Sequence, residues 1–180
     1  MKQLIGISGV ATSGKDTFFK ISQKLLQAKT ECKRHSLAHA LKTEVDTLCR
    51  EQLGFSAFTE DPSQKELIRN LLVSWGQLRR QQNTSYWVNV IKGNFIEGVN
   101  FITDVRFKDE VDFIKKNGGK LLFLYRKKGN YLITPANDVE QKFTLPLQSV
   151  ADVTLTWDSV GSDLHLLEDQ VHTTLNKLLN

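Results

Sequence analysis

One full positive charge, Lys15, stands in the run Gly9-Val10-Ala11-Thr12-Ser13-Gly14-Lys15-Asp16-Thr17. The run lies between an apolar stretch that reads as a strand and a segment with helical periodicity. A strand, a glycine-bearing turn and a helix in that order form a phosphate-binding loop. Backbone N–H groups at a helix N-terminus meet phosphate charge with aligned dipoles, and Lys15 is placed to reach the β- and γ-phosphates of a bound nucleotide. Asp16 stands where a Ser or Thr usually holds magnesium, and Thr17 follows it. A carboxylate there can bind Mg²⁺ directly or through water, or orient an acceptor. The sequence leaves these three open.

Three further groups of residues could act with the loop. Asn100-Phe101-Ile102-Thr103-Asp104-Val105-Arg106 is an apolar strand ending in a carboxylate. Such an end lies at the carboxyl edge of a sheet, where open α/β folds bind ligands. This makes Asp104 a candidate for the metal or the acceptor, and Arg106 a candidate for a phosphate. The run Trp75-Gly76-Gln77-Leu78-Arg79-Arg80 has Arg69 upstream and Tyr86-Trp87 downstream. Arginine grips phosphate with a planar pair of donors, and an aromatic ring can stack on a base. Arg126 closes another apolar run, where a guanidinium can neutralise charge on a phosphoryl group in transit.

These groups require elements that hold them. Apolar runs alternate with helical patterns, as in a sheet built from βαβ units. Strands are expected at Gln3–Ser8, near His35–Leu37, at Val99–Thr103, Lys120–Tyr125 and Ala151–Thr156. Helices are expected at Lys15–Ala28, about Ala40–Leu53, across Ser63–Glu97 with a break near Gln82–Ser85, and over the last residues. From Arg126 to Pro146 the periodicity fades and a surface loop or lid is expected. The 180 residues suggest one domain, with an acceptor-binding helical region at about 54–98 and a lid at about 126–146.

The chain is 40% hydrophobic and 24% charged, with a formal net charge of +4. The basic residues are scattered, which argues against direct nucleic-acid binding. Two cysteines, Cys32 and Cys49, form no metal-type or redox-type pair, and a reducing, cytoplasmic setting is expected. No apolar run approaches the roughly 20 residues that span a bilayer, so no membrane partner is expected.

The Ser13-Gly14-Lys15-Asp16-Thr17 loop, the Trp75-Gly76…Arg80…Tyr86-Trp87-Val88 block and Asp104-Val105-Arg106 resemble the deoxynucleoside monophosphate kinases of the bacteriophage type. The resemblance runs from end to end of the chain. It implies a P-loop NTPase three-layer α/β/α sandwich with a parallel central sheet, adenylate-kinase-like, with a lid. It also implies transfer from ATP, with Mg²⁺, to a deoxynucleoside 5′-monophosphate as the small-molecule substrate. On that likeness Ala11, Thr12, Ser13, Gly14, Lys15, Asp16 and Thr17 hold ATP, and the turn Trp157-Asp158-Ser159 places Asp158 near the adenine. Gly76, Arg80 and Trp87 belong to the acceptor region. Basic residues that relatives often carry are replaced here by Ala11 and Thr12. Phosphomevalonate kinases are similar in the same Ser-Gly-Lys-Asp loop, Trp-Gly block and Asp-x-Arg strand end.

Either acceptor already carries a phosphate, so no strong general base is needed. Lys15 and Mg²⁺ would clamp the donor, with Asp16, Thr17 and Asp104 as candidate metal ligands. Arg69, Arg80 and Arg106 would meet the acceptor, and Arg126 would close over the transferring group. A P-loop ATPase or switch protein is the rival of another class. Its usual acidic pair at the strand end is missing, because Val105 follows Asp104. A homodimer is left open.

Overall fold

Strand β1 (Lys2–Ser8) is buried from Leu4 onward because it has a parallel partner on each edge. The computed structural model describes residues 2–157 and 164–180. Asp158 and Ser159, expected near an adenine, lie outside the described residues. After β1 come α1 (Lys15–Leu26), β2 (Cys32–His35), α2 (Leu37–Leu53), α3 (Pro62–Gln82) and α4 (Tyr86–Lys92). They are followed by β3 (Gly98–Val105), α5 (Lys108–Lys116), β4 (Lys120–Lys128), β5 (Tyr131–Leu132), β6 (Val153–Trp157) and α6 (Leu164–Leu179). A π-helical turn (Glu140–Thr144) and a 3-10 turn (Leu145–Val150) lie between β5 and β6.

The chain divides into two units, Met1–His35 with Phe95–Asn180, and Ser36–Asn94. In the first, parallel strands run in the order β2-β3-β1-β4-β6, and the short β5 pairs antiparallel with the end of β4. Leu4 lies opposite Asn100 and Ile7 opposite Leu122. Both faces of the sheet are covered, so its strands read as unbroken apolar runs rather than alternating ones. Leu121, Leu122, Phe123 and Leu124 are all fully buried. Phe18 and Ile21 of α1 and Val171 and Leu175 of α6 pack on Ile5, Ile7, Phe101 and Leu124. Gly6 points to the other face by strand alternation, where it meets Ile114 of α5. This is the three-layer, mostly parallel α/β arrangement that the sequence led us to expect.

The second unit is helical. Val45, Cys49, Ala57 and Ile68 form its core, with Leu71, Leu72 and Trp75 packed around them. Its helix starts follow from local chemistry. Ser36 accepts the His39 N–H at 3.0 Å, and Asp61 accepts those of Ser63 and Gln64 at 2.8 and 3.0 Å, ahead of Pro62 at the first helical position. Such caps satisfy the orphan donors of a first turn.

Two expectations change. The second strand ends at His35 instead of running from His35 to Leu37, because Ser36 is taken as the cap of α2. The segment from Arg126 is not wholly loop. β4 continues to Lys128, turns at Gly129-Asn130 and returns as β5, with Lys128 opposite Tyr131. A two-residue turn containing glycine is a standard hairpin connection.

Candidate phosphate-transfer site

Helix α1 leaves β1 on one face of the sheet, and α5 leaves β3, the adjacent strand, on the other. The two connections diverge at the carboxyl ends of neighbouring strands and open a crevice there, the place where such sheets bind ligands. The loop after β1 and the stretch Asp104–Arg106 at the end of β3 therefore share one sheet edge.

The loop is held in a conformation that two of its positions reserve for glycine. Gly9 has φ 142° and Gly14 has φ 93°. A Cβ at Gly9 would strike the Leu124 carbonyl, and one at Gly14 would enter the indole of Trp157. Between them, Thr12 has φ 61°, which makes it the one described non-glycine residue with positive φ. The Ser13 N–H bonds the Val10 carbonyl at 3.2 Å. Trp157 Nε1 donates to the Ser13 carbonyl at 2.7 Å, and Arg126 Nη1 donates to the Thr12 carbonyl at 3.2 Å. The Ala11 N–H donates to Glu140 Oε1 at 3.0 Å.

What the loop leaves open matters as much. Gly14 is the N-cap of α1 and offers no side chain to cap it. The helical ladder begins with the Phe18 N–H on the Gly14 carbonyl. The N–H groups of Lys15, Asp16 and Thr17 precede that first rung and gain no partner from the helix itself. An uncapped helix start behind a glycine turn is suited to an anion.

The Lys15 ammonium folds back across the loop and donates to the carbonyls of Gly9 and Val10 at 2.7 and 2.8 Å. Its pKa falls from 10.5 to about 8. Burial is the main cause and the Arg106 guanidinium the second, while Glu140, Asp16 and Asp104 oppose them. Lys15, Asp16, Asp104, Arg106 and Glu140 thus share one electrostatic neighbourhood. Arg106 and Asp104 are both half-buried. Arg126 also lines a small cleft with Gly14, Thr17, Trp157 and Leu167. Its guanidinium, near the end of β4, lies against the loop backbone.

Asp16 is exposed and bonds Arg34 Nη2 at 2.6 Å, while Arg34 Nε donates to Thr103 Oγ1 at 2.9 Å. Among the described residues no group of three His, Cys, Asp or Glu could hold a metal by itself. Mg²⁺ in phosphate chemistry asks for less, one or two carboxylates with the remaining positions filled by phosphate and water. The oxygen donors of Asp16, Thr17 and Asp104 fit that requirement.

In the helical unit, Arg79 stacks between the rings of Trp75 and Tyr86, at 5.2 and 5.0 Å from their centroids. Its Nε donates to Glu44 Oε1 at 2.6 Å, and Tyr86 Oη donates to Glu44 Oε2 at 3.2 Å. Gly76 is buried, and its carbonyl accepts from Trp87 Nε1 at 3.2 Å and Arg80 Nη1 at 3.5 Å. The Trp87 ring is 3% exposed and lies in the interior of this unit. Arg69 pairs with Glu66 one turn away on the surface of α3.

A family model for phosphomevalonate kinase matches residues 7–120, well over half of the chain. The chain belongs to the phosphomevalonate kinase family. Of the two resemblances drawn from its motifs, the second is the family shown. The matched stretch holds the loop, the helical unit and the end of β3. The membership makes the protein a phosphotransferase of the P-loop small-molecule kinase class. The structure is similar to shikimate kinase from Aquifex aeolicus, at 15% identity over 98% of this chain and 96% of that one, with a TM-score of 0.53. It is likewise similar to shikimate kinase from Bacteroides thetaiotaomicron, at 16% identity over 98% of each chain, with a TM-score of 0.55. These likenesses establish the fold. No curated protein sequence matches the chain. Among the described residues of this phosphomevalonate kinase family member, no helix is long and apolar enough to cross a membrane.

Three residues at the loop escaped sequence reasoning. Glu140 lay in the stretch where periodicity fades, yet Asn137-Asp138-Val139-Glu140 carries the spacing of a capping box. Asn137 Oδ1 does accept the Glu140 N–H, at 2.9 Å. Arg34 lies on a short edge strand with no motif around it. Trp157 was read only as part of a turn.

Proposed function

We propose that this protein transfers the γ-phosphoryl group of ATP to a small phosphate monoester, and that phosphomevalonate is the acceptor the family match favours. The observation that carries the reading is the uncapped start of α1 with the Lys15 ammonium folded over the same turn. That arrangement suits a polyphosphate tail. Each unit carries a guanidinium of the kind that grips a phosphate, Arg106 in the sheet unit and Arg80 in the helical unit. Mg²⁺ would be held by Asp16, Thr17 and Asp104, and when bound it supplies charge neutralisation between the donor phosphates. This chain's residues hold the donor, orient the acceptor and exclude water. An acceptor already ionised needs no proton removed by a side chain.

A second acceptor class, a deoxynucleoside 5′-monophosphate, is suited by the half-buried rings of Trp75 and Tyr86, since flat rings can stack on a flat base. A coupled assay of ADP release across phosphomevalonate, the four deoxynucleoside monophosphates and their ribonucleotide counterparts separates the two. Turnover confined to phosphomevalonate supports the first reading, and turnover confined to nucleotides replaces it with the second. ATP hydrolysis with no acceptor phosphorylated would remove both.

A further inference from the structure

Thr12 is the anomaly of the loop. A β-branched residue at φ 61° is held in a region such side chains avoid. Residues of that kind persist only where the surroundings over-determine them. Here three side chains from separate parts of the sheet unit grip the backbone on either side of Thr12. Arg126 from β4 takes the carbonyl of Thr12 itself, and Trp157 from β6 takes that of Ser13. The third grip falls on the preceding residue and comes from Glu140, in the π-helical turn.

Glu140 differs from the other two in being an acidic side chain that is almost wholly buried, at 2% exposure. Both of its oxygens are committed. Oε1 accepts the Ala11 N–H and Oε2 accepts the Ala136 N–H, each at 3.0 Å. One carboxylate therefore bridges the phosphate loop and the segment that leads into its own turn. It presents two acceptors to two donors. A glutamine offers only one acceptor, and its amide N–H₂ would face one of those N–H groups.

We propose that Glu140 is a positioning residue for nucleotide binding. By bridging the Ala11 and Ala136 amides it holds the loop around the strained Thr12 in the form that leaves the first-turn amides of α1 open to phosphate. The inference rests on the reading of residues 9–17 as an ATP site. It does not depend on which acceptor is used.

The test measures ATP binding directly, by calorimetric titration of the full chain, beside the thermal melt of each variant. Glu140→Gln loses a buried, charge-assisted bond and is expected to bind ATP about tenfold more weakly. In the same variant the KM of whichever acceptor is turned over should change less than twofold. If Glu140 acts through Thr12, then Thr12→Gly removes the strain that Glu140 restrains. Adding it to Glu140→Gln should recover at least half of the lost affinity, counted on a logarithmic scale. A buried carboxylate with a purely structural task would lower the melt without such recovery. Should Glu140→Gln unfold, the same comparison is made with Glu140→Asp, which keeps both acceptors on a shorter stem.

Unchanged ATP affinity in a folded Glu140 variant overturns the inference, as does a loss that Thr12→Gly leaves untouched. If the unaltered protein itself fails to bind ATP, it is the kinase reading that falls.

Discussion

The indole N–H of Trp157 donates to the carbonyl of Ser13 at 2.7 Å, so the last strand of the sheet holds the loop that follows the first. The same indole fills the space that a side chain at residue 14 would need. Trp157 is 3% exposed and lies beside Phe18 of α1, with ring centroids 6.3 Å apart. Trp157→Phe keeps an aromatic body and removes the donor. We expect it to cost about 1–2 kcal/mol of stability and to weaken ATP binding several-fold. Denaturant unfolding checks the first. For the second, a nucleotide-induced change in tryptophan fluorescence should be present in the unaltered chain and greatly reduced in the variant, although Trp75 and Trp87 remain.

The depressed pKa of Lys15, about 8, sets a pH dependence. Below that value the ammonium is charged and available to phosphate. Above it the free protein loses the charge, so kcat/KM for ATP should be level near pH 7 and fall up to tenfold per pH unit above about 8. At saturating ATP the bound phosphates restore the proton, and kcat should hold across the same range. Stability should move the other way. The folded pKa lies below the unfolded value of 10.5, so between about 8 and 10.5 the unfolded chain binds more protons. The contribution of Lys15 to stability then rises with pH across that window. A pH series of kcat/KM and of urea midpoints reads both. A flat kcat/KM profile to pH 9.5 would contradict the assignment.

Asp16 and Arg34 are largely exposed, with side-chain exposures of 66% and 45%, and their ion pair is of the kind water screens well. The ion pair should therefore contribute no more than about 0.5 kcal/mol, and Arg34→Ala should cost about 1–2 kcal/mol of unfolding free energy, chiefly through the lost bond to the buried Thr103 Oγ1. Asp16→Asn should raise the Mg²⁺ concentration that gives half-maximal turnover, with little effect on the thermal melt. A magnesium titration at fixed ATP decides it, and an unmoved midpoint would take Asp16 out of the metal site.

The Arg79 stack has a different role. A guanidinium sandwiched by Trp75 and Tyr86 and bonded to Glu44 is committed within the helical unit. Arg79→Ala should lower the denaturant midpoint clearly. Arg79→Lys should recover only part of it, because an ammonium cannot reproduce the planar fork. Arg80→Ala, one residue on, should mainly raise the KM of the acceptor. Equal effects of the two alanine variants on both measurements would erase the distinction between them.

The fold was legible where one periodicity held over a whole element. Apolar runs such as Leu121–Leu124 have no alternation because both faces are covered, and that pattern survives in the chain's one dimension. The loop was legible for a related reason, since Gly9, Gly14 and Lys15 act within a few residues of one another. The clamps on that loop were not. Glu140 is 129 positions from Ala11 and Trp157 is 144 from Ser13, and the assembled sheet brings them together. Trp87 shows the converse. Its spacing beside Tyr86 suggested a stacking surface, but an indole donor with a buried carbonyl in reach turns inward.

Helix α1 begins at Gly14, which has no side chain with which to cap it. A bound triphosphate would do the work that serine or aspartate does elsewhere in this molecule, as Ser36 and Asp61 show. On that view the nucleotide is a missing piece of the architecture as well as a reactant. Each tenfold excess of ATP over its dissociation constant would then make the folded state about 1.4 kcal/mol harder to unfold. Heat resistance becomes a gauge of how much nucleotide surrounds the protein.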